Sequence, residues 1–327
     1  MNDLYMNVID IQLVFDITLE LTGDHALHLS TDRYSIDIEE FKEDGYFDLL
    51  NGSVLGDATT GEILFGVKEN NVDAIASTSK LMTFMVVSRY IETGRIGIDD
   101  VVTLSANVEK LAYSGYGTMY MDQGQQVTVR DLLGAMMLQS SNESALALAE
   151  YVAGSEAEFV NLMNEMARLL GMKSAHFVNS NGLPEYSDTL IAAKKQNQMN
   201  VSDLFILSSA VIRKYPQVTD YSARTSMYLP SFDRTVWTTN HLLYNMDNCI
   251  GLKTGTTDEA GCCLVAAVKT TMLDEEHILI AIVIGAENNL DRYQTPQIML
   301  RWGMQQMADR EAEILEADSA KPIVVDR

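Results

Sequence analysis

Ser77 and Lys80 stand three residues apart at the start of an apolar run that stops at Gly94. The run predicts a buried helix, and on a helix this spacing places both side chains on one face with their Cβ atoms about 5–6 Å apart. A serine hydroxyl becomes a nucleophile when a base takes its proton, and burial lowers the pKa of a lysine so that its amine can act as that base. Alone, so short a pattern is more often a helix-capping serine followed by a surface lysine.

Two further polar motifs follow in the chain. Ser140-Ser141-Asn142 interrupts a helical region predicted over residues 127–182, and Lys253-Thr254-Gly255 lies in a predicted strand. Taken separately, the first fits a polar loop and the second fits the end of a strand that happens to carry a lysine. Three such motifs in this order and spacing are improbable by chance, so we predict that they meet at one cleft.

The predicted cleft has Ser77 on its floor and the strand of Lys253 as one wall. Ser140 and Asn142 form the other wall, where the Ser140 hydroxyl hands on a proton and Asn142 holds both Lys80 and a substrate amide. These roles use only groups that donate and accept hydrogen bonds or titrate, as acyl transfer by a serine nucleophile requires.

The third motif predicts how a substrate is held. Lys253 supplies a positive charge and Thr254 a hydroxyl for a substrate carboxylate. The backbone N–H groups of Ser77 and Thr256 would form an oxyanion hole, that is, a pair of donors for the negative oxygen of the intermediate. Gly255 would let the backbone approach the substrate closely.

Composition limits the class of protein. The chain has 327 residues, of which 47% are hydrophobic, and a formal net charge of −23. It can bury a large core, and its acidity argues against nucleic acid or an anionic membrane as a partner. No apolar run reaches the roughly 18 residues of a membrane segment, and the N-terminus does not read as a signal peptide. Its three cysteines and five histidines show no zinc spacing, so we expect no metal.

The order of predicted elements is a β-hairpin over about 52–68, several helices, a three-stranded meander and a final helix. The meander strands are predicted over 250–255, 262–269 and 278–284. Because the hairpin and the meander would share one antiparallel sheet with helices on its faces, we predict an α+β fold with a five-stranded antiparallel sheet and a helical subdomain.

The two ends of the chain differ from its middle. The first fifty residues contain twelve acidic and two basic residues, and apolar residues alternate over 8–21 and, more weakly, from Leu27 to Ile38. We predict an acidic β-hairpin extension over 1–48 that packs on the main domain or on another subunit, because a hairpin alone is marginally stable. The main domain covers 49–310, and a charged, frayed tail is predicted over 311–327.

Around the three motifs the chain resembles the D-alanyl-D-alanine carboxypeptidases, the low-molecular-mass penicillin-binding proteins. The resemblance runs over roughly 52–305 and rests on segments 81–83, 137–139, 143–150, 176–183, 239–243 and, above all, 251–261. The chain departs from the family at four positions. Ile75 stands where the family commonly carries Pro, and Ser141 where it carries Gly. Thr256 stands where the family carries His or an aromatic residue, and Cys262 where it carries Tyr. None of these departures removes a catalytic group named above.

The resemblance implies a penicillin-binding, transpeptidase-like fold for residues 49–310. It implies that Ser77 attacks the bond before the terminal D-alanine of a peptidoglycan stem peptide and that water then releases the acyl-enzyme. β-Lactam antibiotics such as penicillins would acylate the same serine. No metal or organic cofactor is implied, and the location would be extracytoplasmic, in the periplasm or at the cell surface. From the sequence given we expect no counterpart of the family's C-terminal β-domain and amphipathic membrane helix, so membrane attachment is not predicted.

Three other functions stay open at the level of sequence. A class A β-lactamase uses a glutamate to activate the deacylating water, and an asparagine normally follows it four residues later. Glu165 and Glu185 lack that asparagine, which favours a carboxypeptidase. A related serine esterase is the second alternative. The third is a non-catalytic binding protein of the same fold, against which the intact Ser77, Lys80 and Lys253 argue.

Overall fold

The computed structural model describes residues 18–21, 27–30, 36–184 and 195–319. Its strands, in chain order, are β1 (Thr18–Leu21), β2 (Leu27–Ser30), β3 (Gly52–Asp57), β4 (Glu62–Val67), β5 (Asp73–Ala74), β6 (Val101–Thr103), β7 (Gln126–Thr128), β8 (Gln198–Met199), β9 (Ser226–Leu229), β10 (Arg234–Trp237), β11 (Cys249–Thr257), β12 (Gly261–Met272) and β13 (Glu275–Ala286).

The α-helices are α1 (Ile38–Glu43), α2 (Lys80–Glu92), α3 (Ala106–Ala112), α4 (Val129–Leu138), α5 (Asn142–Ala153), α6 (Glu156–Leu169), α7 (Val201–Lys214), α8 (Thr219–Ser222) and α9 (Asn289–Ser319). Short 3-10 helices lie at Ala76–Ser79, Pro216–Val218, Pro230–Phe232 and His241–Tyr244.

Five strands form the central antiparallel sheet, in the order β11-β12-β13-β3-β4. The early hairpin joins the late meander through β3 and β13, where Leu55 lies opposite Ala281. Every residue of β3 is buried, as an interior strand covered on both faces requires. The α+β fold and the five-stranded sheet predicted from the sequence are confirmed.

The sheet separates two hydrophobic cores. Ile280 and Ile282 of β13 face the core that contains α2, α4, α5 and α7. Their neighbours Leu279 and Ala281 face the second core, which α9 covers. Alternate side chains of a strand point to opposite faces, so one strand serves both cores.

The helices of the first core begin and end at the predicted signals. Thr128 caps α4 by accepting a hydrogen bond from the backbone N–H of Asp131, and Ser141 caps α5 in the same way. Gly154 ends α5 with a φ of 80°, a left-handed conformation that favours glycine. The break between α4 and α5, which carries the second motif, is therefore fixed by one helix end and one helix cap.

Part of the N-terminal module differs from its prediction. Residues 8–17 of the predicted strand lie outside the described part of the chain, and β1 pairs with β2 in antiparallel register. The alternation that continues to Ile38 does not end in a strand, because Asp37 accepts hydrogen bonds from the backbone N–H groups of Glu39 and Glu40 and starts α1. Ile38 and Phe47 are buried in the second core.

The C-terminal boundary also differs. Helix α9 continues to Ser319, so the predicted fraying after residue 310 is wrong over the described residues. The Glu311 carboxylate accepts a hydrogen bond of 2.8 Å from the backbone N–H of Leu273 and ties this part of α9 to the β12–β13 turn. Within the described ranges, every helix is too short or too polar to cross a bilayer.

Candidate active site

Ser77 lies in a 3-10 turn, Ala76–Ser79, that leads directly into α2. The sequence predicts the helix from Ser77 onward, but the first turn is the tighter 3-10 form, in which side chains three residues apart are eclipsed. The Ser77 hydroxyl oxygen consequently lies 2.7 Å from the amine nitrogen of Lys80. The predicted pairing of these two side chains is present in the structure.

Lys80 has no solvent-accessible surface, although it is a lysine. Its Nζ donates hydrogen bonds to Asn142 Oδ1, at 2.8 Å, and to the backbone carbonyl of Asn181, at 2.6 Å. Burial is the main cause that holds the pKa of Lys80 well below its ordinary value, and the nearby Lys253 lowers it further. Glu143 opposes these effects by raising the pKa.

A second serine–lysine pair faces the first. Lys253, on β11, is buried, and its Nζ donates to the Ser140 hydroxyl and to the backbone carbonyl of Thr254, both at 2.9 Å. Burial, and after it the positive charge of Arg292, lower the pKa of Lys253 to about 7. Ser140 has a φ of 62°, so the α4–α5 break turns sharply at the residue that meets Lys253.

β11 packs directly on the turn that carries Ser77. A Cβ placed on Gly255 would lie 2.9 Å from the backbone nitrogen of Ser77 and 3.1 Å from that of Thr78. In this structure, the backbone that comes close to Gly255 is therefore that of the Ser77 turn. Glycine at this position keeps the N–H groups of Ser77 and Thr256 on adjoining elements.

The two threonines of the third motif have different neighbours. The Thr254 hydroxyl lies 2.5 Å from that of Thr239, which is just beyond β10. The Thr256 hydroxyl accepts a hydrogen bond of 2.6 Å from Arg292 Nη1, and the same nitrogen lies 3.3 Å from the Gly255 carbonyl. This end of the cleft thus combines hydroxyl groups with two buried cations, Lys253 and Arg292, which suits an anionic group.

All eight residues predicted for the site are brought together by these contacts: Ser77, Lys80, Ser140, Asn142, Lys253, Thr254, Gly255 and Thr256. Among the described residues, no group of three or more His, Cys, Asp or Glu side chains is placed to hold a metal ion.

Three contributors were missed by the sequence reasoning. Arg292 lies in the first turn of α9. The sequence indicates its role only through its position shortly after a strand that ends beside the site. Asn181 acts through its backbone carbonyl, which no residue type reveals. Glu143 follows the second motif directly and is fully buried.

Glu143 and its neighbours hold a loop over the site. The Glu143 carboxylate accepts from the backbone N–H of Thr118 at 2.6 Å and from that of Met119. Asn142 Nδ2 donates to the carbonyl of Tyr116, and Gln139 Nε2 to that of Thr118, both at 2.8 Å. The residues around Ser140 therefore fix both the catalytic groups and the loop of residues 113–121 above them.

Comparison with known proteins agrees with this geometry. A family model described as D-alanyl-D-alanine carboxypeptidase matches residues 51–288. D-alanyl-D-alanine carboxypeptidase DacD of Escherichia coli (strain K12) is 36% identical over 256 residues, which cover 77% of this chain and 62% of the relative. The chain thus spans less than two thirds of the length of the first curated relatives that it matches.

Solved structures give the same result. Penicillin binding protein 6B from Escherichia coli is 34% identical with a TM-score of 0.69, covering 78% of this chain and 77% of that one. Penicillin-binding protein D2 from Listeria monocytogenes, in its ampicillin-bound form, is 29% identical with a TM-score of 0.66, covering 78% and 97%. With a family model that matches most of its length, this chain belongs to the peptidase S11 family of D-alanyl-D-alanine carboxypeptidases.

Proposed function

We propose that this protein is a serine-type D-alanyl-D-alanine carboxypeptidase that removes the terminal D-alanine from peptidoglycan stem peptides through an acyl-enzyme on Ser77. The observation that carries the proposal is the 2.7 Å contact between the Ser77 hydroxyl and the amine of Lys80, whose pKa burial holds well below its ordinary value. The family and the relative from Escherichia coli bear the name of this activity.

The contacts of Lys80 suit the neutral amine that a general base requires. A neutral amine has two N–H donors and one lone pair. Asn142 Oδ1 and the carbonyl of Asn181 are both acceptors, and together they use the two N–H groups. The lone pair is then left for the third neighbour, the Ser77 hydroxyl. Lys80 takes the proton of that hydroxyl as its oxygen attacks the substrate carbonyl.

Negative charge then develops on the carbonyl oxygen of the substrate. Its donors in this proposal are the N–H groups of Ser77 and Thr256, which lie on the turn and on the strand that meet at Gly255. Donors fixed in this way stabilise the intermediate without reorganising during the reaction.

The leaving D-alanine needs a proton on its nitrogen and a partner for its carboxylate. Ser140 passes to this nitrogen the proton that Lys80 took from Ser77, and Lys253, at 2.9 Å, holds the Ser140 hydroxyl on the wall that faces Ser77. Lys253, Thr254 and Thr256 bind the carboxylate, with Arg292 adding positive charge behind Thr256. Water then attacks the acyl carbonyl and gives a proton to Lys80; the bond to the Ser77 oxygen breaks, that proton returns to Ser77, and the shortened peptide leaves.

β-Lactams are proposed to acylate the same serine. The related penicillin-binding protein D2 from Listeria monocytogenes is described in ampicillin-bound and cefotaxime-bound forms. A substrate in the peptidoglycan would place the protein outside the cytoplasm. No metal or organic cofactor takes part in this mechanism.

The β-lactamase alternative requires a carboxylate that activates water. Glu165 lies on α6 and is exposed, and Glu143 is occupied by the backbone N–H groups of Thr118 and Met119. Glu185 lies outside the described residues. Neither Glu165 nor Glu143 is therefore placed to activate water, which favours slow release of a β-lactam and hence the carboxypeptidase. The esterase and the non-catalytic binding protein are distinguished from it by the assays that follow.

The test is release of D-alanine from a synthetic peptide that ends in D-Ala-D-Ala, together with labelling by a fluorescent penicillin. We expect D-alanine release and a stable label, and loss of both in Ser77→Ala. Rapid turnover of a chromogenic cephalosporin would indicate a β-lactamase. Ester hydrolysis without D-alanine release would indicate an esterase, and no labelling at all would indicate a binding protein.

A further inference from the structure

In the described part of the chain, the exposed aromatic side chains are not spread evenly over the surface. Within the described residues, those that are largely exposed all belong to three segments that border the cleft: Tyr113, Tyr116, Tyr120, Tyr228, Trp237 and Tyr244. Clusters of exposed aromatic rings often mark binding surfaces, because exposing large apolar rings to water costs free energy.

Two of these rings lie on the outer face of the β9–β10 ribbon. Tyr228 lies opposite Thr235, and Ser226 lies opposite Trp237, so these four residues share one face. The exposed fraction is 54% for Tyr228 and 62% for Trp237. The face therefore consists of two aromatic rings and two hydroxyl side chains, none of them charged, in a protein whose net charge is −23; at the ribbon's turn the Tyr228 hydroxyl donates to the Asp233 carboxylate.

The inner face of the ribbon is clamped to α4. A Cβ on Gly134 of α4 would lie 2.8 Å from Leu229 and 3.2 Å from the sulfur of Met227. At the ribbon's turn, the backbone N–H of Ser231 donates to the Asp131 carboxylate at 2.7 Å. The outer rings are thus presented by a fixed support, which lowers the entropy lost when a ligand binds them.

The ribbon leads into the cleft. Thr239 donates its backbone N–H to the carbonyl of Leu138, just before Ser140, at 3.1 Å, and its hydroxyl contacts Thr254. Trp237 lies two residues before Thr239, a separation of about 7 Å along an extended chain. The aromatic face is therefore continuous with the wall that carries Thr254.

We infer that the outer face of β9–β10, centred on Trp237 and Tyr228, binds the sugar chain to which the peptide substrate is attached. This inference rests on the proposed function, because a stem peptide in the cleft brings its polysaccharide to the rim. A pyranose ring has an apolar face of C–H groups that stacks on an aromatic ring, and its hydroxyl groups find partners in Ser226 and Thr235. An uncharged sugar also avoids the repulsion that an anionic lipid surface would meet here.

The protein offers a direct probe, because Trp237 and Trp302 are its two tryptophans. Trp302 is half-buried against Phe65, with ring centroids 6.1 Å apart, so Trp302→Phe keeps an aromatic ring there and leaves Trp237 as the single tryptophan. In this variant we expect the emission of Trp237 to change saturably with a tetramer of β-1,4-linked N-acetylglucosamine. Adding Tyr228→Ala should weaken that binding about three- to tenfold.

Leu169→Ala is the matched control, since Leu169 is 62% exposed at the far end of α6. It should leave the sugar titration unchanged. Unchanged emission with the tetramer and with peptide-free glycan strands would overturn the inference. So would a response to phosphatidylglycerol vesicles in place of sugars.

Penicillin labelling of the same variants separates the inference from the proposed function. The sugar titration does not involve Ser77 and can be repeated in Ser77→Ala. Sugar binding without labelling in the Ser77-intact protein would overturn the proposed catalysis and retain the aromatic surface as a site. Labelling without sugar binding would overturn the inference alone.

Discussion

The cleft contains two lysine–serine pairs of nearly the same geometry. Lys80 lies 2.7 Å from the Ser77 hydroxyl, and Lys253 lies 2.9 Å from the Ser140 hydroxyl. Both lysines are buried, and burial lowers the pKa of each. A distance alone therefore does not distinguish the base from its counterpart across the cleft.

The surroundings distinguish them. The other contacts of Lys80 are two acceptors, Asn142 Oδ1 and the carbonyl of Asn181, and together they complete the shell of a neutral amine. Lys253 lies near the cation Arg292, and its pKa of about 7 lets it carry a proton close to neutrality. The difference supports the proposed division of roles, in which the first pair abstracts a proton and the second returns a proton and binds the carboxylate.

In the strongest test of this division, each lysine is replaced by methionine, whose unbranched side chain has a similar length but carries no amine. Lys80→Met should slow acylation by penicillin about 10²–10⁴-fold, because it removes the general base. Lys253→Met is the matched change in the other pair and should slow acylation less. Stopped-flow labelling measures both rates, and thermal unfolding checks the folds. Equal losses in the two variants would contradict the division.

The second prediction concerns the contact that joins the pairs. In Gly255→Ala the new Cβ would lie 2.9 Å from the Ser77 nitrogen, so β11 and the turn must move apart. We expect acylation to fall about 10²-fold, since small displacements of reacting groups carry such losses. Gly66→Ala is the control, because a Cβ there has no neighbour closer than 3.5 Å. Labelling rates compare the two, and equal rates would show that the close contact does not position Ser77.

The third prediction tests the cation beside Lys253. Arg292 lowers the pKa of Lys253, so Arg292→Gln should raise it above about 7. In the proposed mechanism protonated Lys253 binds the carboxylate, and this contribution is lost as pH rises through the pKa of Lys253. The break in kcat/KM near neutral pH should therefore move to higher pH, with activity reduced about tenfold because a charge-assisted hydrogen bond is lost.

D-alanine release measured across pH gives this profile. Lys269→Gln removes an exposed lysine that pairs with Glu276 near the β12–β13 turn, and it serves as the control. The pH at which kcat/KM of this control variant breaks should coincide with that of the wild type. A break that moves to lower pH in Arg292→Gln would contradict the assignment of this step to Lys253.

The smallest expected effect comes from Glu143, which raises the pKa of Lys80. Glu143→Gln keeps a carbonyl oxygen for the N–H groups of Thr118 and Met119 and removes the negative charge. The pKa of Lys80 should fall further. The rise of activity that accompanies deprotonation of Lys80 should therefore begin at a lower pH. We expect changes of about a few-fold, because Glu143 affects the pKa of Lys80 less than burial and Lys253 do. The rate of penicillin acylation at acidic pH measures this shift, and Glu165→Gln, a change at an exposed residue, is the control. A shift of the acylation profile to higher pH would contradict the prediction.

The sequence predicts the five-stranded sheet and the eight site residues because both depend on local patterns. Strand alternation, helix caps and short motifs of fixed residue type are all visible in the chain. The roles of Asn181 and Arg292 are not visible in this way. One acts through a backbone carbonyl, and the other reaches β11 from a helix that only the folded sheet places beside it.

The same reasoning explains the errors at the two ends. The weak alternation to Ile38 resembles a strand, but a single aspartate cap and burial of one face in the second core favour a helix there. The charged sequence after residue 310 gives no sign of a core contact. Helix α9 nevertheless continues, held by tertiary contacts such as that between Glu311 and Leu273. In the first case the cap and packing override a weak strand pattern. In the second, the alanine, glutamate and leucine residues after position 310 themselves favour the helix, and the prediction gave their charge too much weight.

The pairing of β3 with β13 has a consequence for the making of the protein. Ile284 pairs with Gly52, so a strand translated early waits for one translated near the end of the domain. Contacts so distant in sequence form slowly, and they form only after most of the chain has left the ribosome. Until then the nascent polypeptide contains Ser77 but lacks the completed sheet that holds β11 against the Ser77 turn. An unfinished molecule should therefore be inert toward antibiotic, and reactivity should arise only with the completed sheet.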